Sequence, residues 1–406
     1  MNFRSLDKRL VTILLIVFVQ MVGAGLILPI LPLYAKNEFN MSPTAVTLLV
    51  ASFYAAQFIG GPILGRWSDK VGRVPVLIIS QIGTVIAFLA FGLAWSAWVL
   101  FAARIFDGLT GGNIVVAQAY VTDVTPRENR AQALGLIAAM FGLAFFIGPA
   151  IGGLLVGLGP QIPYFVAAGA AAIVVLLTIF TLDESMTADE REALRSKAVK
   201  LKFRAALAIR PLMLAMSIGF ITQFALGLVI ATFALFGEAV LFDSNPELGV
   251  GFLLAFVGLS QIITQTAILP RALRRLTEGQ VLLAGILVRS AGLVLYAITV
   301  GPLLALIGGM FFAMGGGLTM PPTQSIATKA VDDSKRGGVL GVFQSVISMS
   351  FIVSTAIGGV LFAVYPHLPN QVALAASILA IVPAIVLIRH VTPSVEKEQA
   401  WVPSDS

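Results

Sequence analysis

The chain has 406 residues, of which 58% are hydrophobic and 11% charged, and its mean hydropathy is +0.96. Soluble domains carry roughly a quarter charged residues, so an ordinary soluble enzyme or binding module is excluded. The formal net charge is +6 and no cysteine is present, which excludes disulfides and thiolate metal sites.

Twelve apolar runs of roughly twenty residues follow one another, each long enough to cross the hydrocarbon core as a helix. They are residues 10–33, 45–64, 75–94, 98–119, 132–157 and 161–181, then 211–237, 248–269, 280–300, 303–326, 338–364 and 369–390. The first follows a basic N-terminus (Arg4, Lys8, Arg9). It is too long for the apolar region of a signal peptide and no small-residue cleavage site follows it, so it reads as a retained span. The expectation is an all-α membrane protein of two pseudo-symmetric six-helix halves, 1–181 and 211–390, with a linker at 182–210 and a tail at 391–406. The linker turns from acidic to basic. A solvated connection is expected there, with a surface-lying amphipathic helix as the alternative.

Counting Arg389, at the end of span 12, with the C-terminus, all but three of the 26 Lys and Arg residues fall in the termini, the linker and the loops after spans 2, 4, 8 and 10. The exceptions are Lys36, on the other side, and Arg104 and Arg289, inside spans 4 and 9. Cytoplasmic loops retain Lys and Arg, so both termini are expected in the cytoplasm. The same bias accounts for the positive charge, and no nucleic-acid partner is implied.

The loop after span 2 carries Gly65, Asp69, Lys70, Gly72 and Arg73. The glycines permit close backbone approach, and Asp69 is placed to meet Arg130 or the start of span 11 at Gly337-Gly338. A contact that forms in one conformation and breaks in another is a gate; a plain basic turn explains the arginines and lysine but not the acid.

Asp107 is the carboxylate inside the first half's membrane core, and Arg104 lies three residues earlier on the same helix face, with Gly108, Gly111 and Gln118. A mid-membrane acid is costly and marks a proton or substrate path, where proton and cation compete for one negative site. A static ion pair is the plainer alternative. Glu238, at the outer end of span 7, reads as a rim carboxylate, with a share in proton coupling as the alternative. Arg289 sits mid-span and is expected to line the cavity, where it could bind an anionic or zwitterionic substrate group, or to pair with an acid. Gln20, Gln57, Gln118, Gln223, Gln261 and Gln344, with Tyr54, Phe224 and Met314, are expected to form a roomy cavity with neutral polar handles and adaptable walls. The plainer role of each glutamine is to bond neighbouring helices.

Span 5 holds a segment that returns. GLIAAMFGLAFFIGPAIGGLL, from Gly135, reappears 206 residues later as GVFQSVISMSFIVSTAIGGVL, from Gly341. A membrane segment repeated at half the chain length implies two similar halves, the usual build of a secondary transporter. The copies diverge at Gly148-Pro149, which faces Ser354-Thr355. Gly142, Gly148, Gly152 and Gly153 admit another helix closely, and Pro149 removes a backbone hydrogen bond and kinks its own helix. A seam of this kind, expected between the halves, holds a barrier while they rock. Ordinary small-residue packing is the plainer account of any one glycine.

No phosphate-binding loop, nucleophile elbow or metal-ligand spacing is present, so an enzyme is not expected and no cofactor is implied. GRWSDKVGR resembles the loop 2–3 signature of the major facilitator superfamily. Arg104 in FAARIFDGLTGG resembles the fourth-helix arginine motif of its proton-coupled drug exporters. Gly135, Gly148-Pro149 and Gly152-Gly153 resemble the fifth-helix antiporter motif, with Ala144 where a glycine is expected. GLILPILP in span 1 and GGGLTMPPTQS in span 10 are similar to the tetracycline-efflux type. That type's membrane acids in spans 1, 3 and 9 are here Gln20, Ala87 and Arg289. The resemblance implies a twelve-helix transporter of a bacterial-type inner membrane, working as a monomer. It would export amphipathic drug-like molecules in exchange for protons, with the proton gradient as energy source. Asp107 and Arg104 would couple protons, the Asp69 loop would gate, and the span 5 seam would hold the barrier. An exporter or flippase of an endogenous lipid or glycolipid is the alternative, and a non-transporting membrane sensor a further one.

Overall fold

A computed structural model describes residues 8–111, 113–126, 130–187, 189, 208–331 and 336–399, with the backbone alone for a few, among them Arg130, Gly135 and Arg336. Among them are twelve helices long and apolar enough to cross a membrane. In chain order spans 1 to 6 are Lys8–Phe39, Pro43–Val71, Arg73–Gly92, Ala97–Val124, Ala139–Val156 and Ile162–Thr181. Spans 7 to 12 are Arg210–Leu241, Pro246–Leu273, Glu278–Ile298, Pro302–Lys329, Gly338–Val364 and Leu368–His390. The all-helical expectation holds. The amphipathic helix considered for the linker falls largely on residues outside those described.

Prolines and caps start the helices where the sequence turns from polar to apolar. Ser42 Oγ accepts the Ala45 N–H at 3.2 Å with Pro43 as the first helical residue, and Thr277 with Gln280 forms a reciprocal capping box. Helices outrun the apolar segments at their polar ends. Span 2 continues through Arg66 and Lys70 to Val71, so the expected loop is helix up to Gly72, whose φ of 113° makes the turn into span 3. Helix also continues past His390, across most of the expected tail, to Gln399. Hydropathy marks the slab a helix crosses, while backbone hydrogen bonding continues for a turn or two beyond it.

Span 5 packs between span 1 of its own half and span 8 of the other; span 11 packs between spans 7 and 2. The pairings are related by the repeat. They are closest at the end of the molecule away from the termini, the far end. There Glu238 and Lys36 form an ion pair of 2.7 Å between spans 7 and 1, and the Gly359 N–H donates to Thr47 Oγ1 at 2.9 Å between spans 11 and 2. One apolar cluster joins both halves at that end, including Leu31, Tyr34, Phe233, Phe236 and Val250. Towards the end bearing the basic loops the clusters separate. One holds first-half residues alone, such as Leu14, Val76 and Tyr120, and another second-half residues alone, such as Ile218 and Leu387. The halves are therefore sealed together at the far end and part towards the basic end.

Candidate functional site

Span 4 is two helices, Ala97–Thr110 and Asn113–Val124, with the break beginning at Gly111. The last turn of the first helix is pressed between spans 2 and 3. Gly108 abuts the Phe53 carbonyl, Gly60 abuts Leu109, and Ser80 donates to the Thr110 carbonyl. Just before the break lie Asp107, 6% exposed, and Arg104, whose Nη1 is 3.4 Å from Asp107 Oδ2. The Arg104 guanidinium lies over the Phe53 ring at 4.5 Å, and its Nε has no partner. Gln57 Nε2 donates to the Gly111 carbonyl at 3.3 Å, tying span 2 to the break. Gln118, expected on the same face, is exposed beyond it.

The two partners expected for Asp69, Arg130 and the start of span 11, lie largely outside the described residues. Asp69 pairs within its own turn, with Arg73 Nη1 2.5 Å from Asp69 Oδ1. The Arg130 side chain is outside the described set. Arg73 reaches further than the sequence suggested: Nη1 donates to Ser68 Oγ at 2.7 Å and Nε to Asp123 Oδ2 at 3.0 Å, at the end of span 4. Glu184, at the start of the linker, accepts the backbone N–H groups of Arg73 and Val74 at 2.9 and 3.2 Å, capping span 3. Ser185 Oγ adds a bond to Asp123 at 3.0 Å. Among the described residues the turn is thus a brace joining spans 2, 3, 4 and the linker within one half. Gly65 looks towards Val115 of span 4, and Lys70 is exposed. Asp123 and Glu184 escaped sequence reading because nothing local links them to Arg73.

The span 5 glycines divide between two neighbours, whereas one seam was expected. A Cβ at Gly148 would lie 2.8 Å from Gly25 Cα, and Gly152 is pressed against the Leu26 carbonyl, so these two admit span 1. Gly153 admits span 8, where a Cβ would lie 2.8 Å from the Glu247 oxygen, and Gly142 meets Ile262 of the same span. Pro149 serves both sides: its ring borders Gly25 and its carbonyl borders Gly251. The second copy repeats the division, with Gly358 against span 7 and Gly359 against span 2.

Of the expected cavity residues, Tyr54 stacks on Phe351 across the halves at 4.7 Å, and Phe224 stacks on Phe220 at 6.4 Å. Gln20, Gln223, Gln261 and Met314 are half-buried and Gln344 is exposed. A cavity of about 500 Å³ opens between spans 2, 7 and 11, walled by Met213, Met216, Phe220, Met349 and Phe58. The spacing of Met213, Met216 and Phe220 was a signal for it. Arg289 is 2% exposed, its guanidinium over the Phe312 ring at 4.4 Å. No acid among the described residues pairs with it, contrary to one of the two roles expected of it.

A model of the "Major Facilitator Superfamily" matches residues 13–277 and 245–403. The tetracycline resistance protein, class C, of Escherichia coli is 31% identical over 360 residues, 88% of this chain and 90% of that protein. Multidrug resistance protein 2 of Bacillus subtilis (strain 168) is 28% identical over 358 residues, 87% of this chain and 88% of that protein. Among solved structures, a bacterial homologue of the human lysosomal transporter Spinster, in an inward-facing and occupied conformation, superposes with a TM-score of 0.72. It covers 94% of this chain and 96% of that one at 16% identity. Two bundles of six spans, an internal repeat and this likeness along most of the chain agree: the chain belongs to the major facilitator superfamily and is a multi-pass membrane transporter, not an enzyme.

Proposed function

We propose that the protein exports amphipathic, drug-like molecules from the cytoplasm in exchange for protons, by alternating access in a bacterial-type inner membrane. The observation that carries the reading is Asp107, a buried carboxylate paired with Arg104 at the break in span 4, in a helix wedged by glycines against its neighbours. The basic loops lie on the cytoplasmic side, so the conformation described is open to the cytoplasm. Substrate entering there competes for Asp107 and its proton leaves to the cytoplasm. After the halves rock, a proton from outside takes the carboxylate and substrate departs. The proton gradient is the energy source, and the protein acts as a monomer. Relatives named for tetracycline and multidrug resistance support drug export as the task.

The test is uptake of ethidium into inverted vesicles driven by an imposed pH gradient. Asp107→Asn should abolish gradient-driven uptake at unchanged expression, and unchanged coupling would remove Asp107 from the proton path. A lipid or glycolipid exporter is a second reading, favoured by the cavity between spans 2, 7 and 11, whose walls are apolar apart from Ser217 and Ser345. Translocation of a labelled lipid without ethidium transport would establish it.

A further inference from the structure

Arg289 is a cation in the membrane core with no acid among the described residues to balance it. Its Nε and Nη2 are buried without a hydrogen-bond partner, and its closest charge-stabilising neighbour is the face of Phe312. A buried guanidinium left in this condition is costly, and the cost falls when an anion arrives. Of three consecutive glycines in span 10, Gly315 and Gly316 lie against it and Gly317 faces span 8. Gly315 is pressed against the Arg289 backbone, and a Cβ at Gly317 would lie 2.9 Å from Thr264 of span 8. Gly316, between them, is only half-buried, and a Cβ there would meet a single atom within 4 Å, Arg289 Nη1 at 3.8 Å. A side chain would fit at Gly316; its absence leaves the guanidinium an opening.

The repeat shows that this is a departure from the other half. At the offset of 206 residues, Arg289 corresponds to Gly83 and Gly316 to Thr110. In the first half Gly83 is the hollow and the Thr110 side chain fills it. In the second half the large residue stands on span 9 and the hollow on span 10, so the same seam is inverted and charged. We infer that Arg289, reached past Gly316, is a recessed subsite for the carboxylate of an amphipathic organic acid or zwitterion. The inference rests on the transporter reading only in taking that ligand to be cargo.

The experiment is a fluorescence titration of the full chain in nanodiscs of zwitterionic lipid, with 9-anthracenecarboxylate and, as neutral twin, 9-anthracenemethanol. The wild type should prefer the carboxylate by tenfold or more. Arg289→Gln and Gly316→Val should each reduce the preference below threefold, Arg289→Lys should keep part of it, and an unchanged unfolding midpoint for Gly316→Val shows that the fold survives. No preference in the wild type, or a preference that persists in either variant, overturns the subsite. Replacing chloride by gluconate separates a static counter-ion. A preference that appears only without chloride at physiological concentration means that chloride holds the site, which also overturns the proposal. Carboxylate selectivity without proton-driven ethidium uptake would refute the exchange reading alone, and the converse would refute the subsite alone.

Discussion

Replacing Gly153 by alanine should drive the molecule out of the conformation described. The added Cβ would stand 2.8 Å from the Glu247 oxygen and 3.0 Å from Leu248 Cα, both backbone atoms of span 8. Ordinary contact begins near 3.4 Å, so the two helices must part by roughly 0.6 Å. Overpacking of this kind costs about 1–3 kcal/mol. Under the proposed alternating access, in which the halves separate at the far end when the barrier changes sides, only the arrangement closed there bears that cost. The equilibrium should therefore move by about 5- to 150-fold towards the form open at the far end. The chain has no cysteine, so spin labels can be placed without removing any. A pair at Leu158 and Ser244 reports on the far end, and a pair at Lys70 and Leu276 on the basic end. Pulsed electron spin resonance should show the first distance lengthening and the second shortening. Gly359→Ala, which meets Thr44 and Thr47 in the equivalent seam of the other copy, should act in the same direction. Unchanged distance distributions in both variants, with the fold intact, would refute the claim that these glycines hold the far end shut.

Two further changes act on charges in the same frame. Glu238→Gln removes the partly exposed ion pair with Lys36 and should shift the same label distances in the same direction by at most about 1 kcal/mol, an effect that fades in high salt; a larger, salt-independent shift would mean that Glu238 does more than close the rim. Arg73→Gln leaves Asp123, whose side chain is 11% exposed, without its cation and also removes the bridge to Asp69. A loss of about 3 kcal/mol is expected, seen as a lowered unfolding midpoint, whereas Lys70→Gln at the exposed neighbour should leave the midpoint within error.

The spans, the two halves and the depth of Asp107 were legible because each depends on a local property: a run of apolar residues, a repeated segment, a carboxylate in the middle of a run. Helix ends were less so. Arg66 and Lys70 look like loop, yet the backbone stays helical to Val71 because its hydrogen bonds do not require an apolar side chain. Arg73 was read as part of a basic turn, while its partners Asp123 and Glu184 lie 50 and 111 residues further along the chain and meet it only once spans 2, 3 and 4 are packed. The glycines of span 5 announced close packing without saying against which helix. Spacing shows it only in retrospect: Gly148 and Gly152, one turn apart, share the face towards span 1, and Gly153, about 100° around, faces span 8. The glutamines are not decided by sequence, because a half-buried amide in a span has the same signature whether it faces a cavity, another helix or the surroundings.

The mid-span charges lead to a last expectation. With Asp107 ionised, Arg104 and Asp107 cancel and Arg289 leaves the core with one positive charge; with Asp107 protonated the core carries two. Were a carboxylate to bind at Arg289 while Asp107 is ionised, the substrate-loaded core would be neutral. The empty, proton-loaded core returning the other way would then hold two positive charges. One cycle exporting an anion and importing a proton thus moves two charges, and one exporting a neutral analogue moves a single charge. A potential of 100 mV acts on each charge with about 2.3 kcal/mol, so the anion should gain about 4.6 kcal/mol of driving force and its neutral analogue half of that. Proteoliposomes clamped with potassium and valinomycin would show it: accumulation of 9-anthracenecarboxylate should rise with potential twice as steeply, on a logarithmic scale, as that of 9-anthracenemethanol. Arg289→Gln leaves the charge moved per anion at two, because stoichiometry and not the residue sets it, but should slow the anion's cycle. Equal slopes for the two compounds in the wild type would show that proton and anion do not exchange one for one.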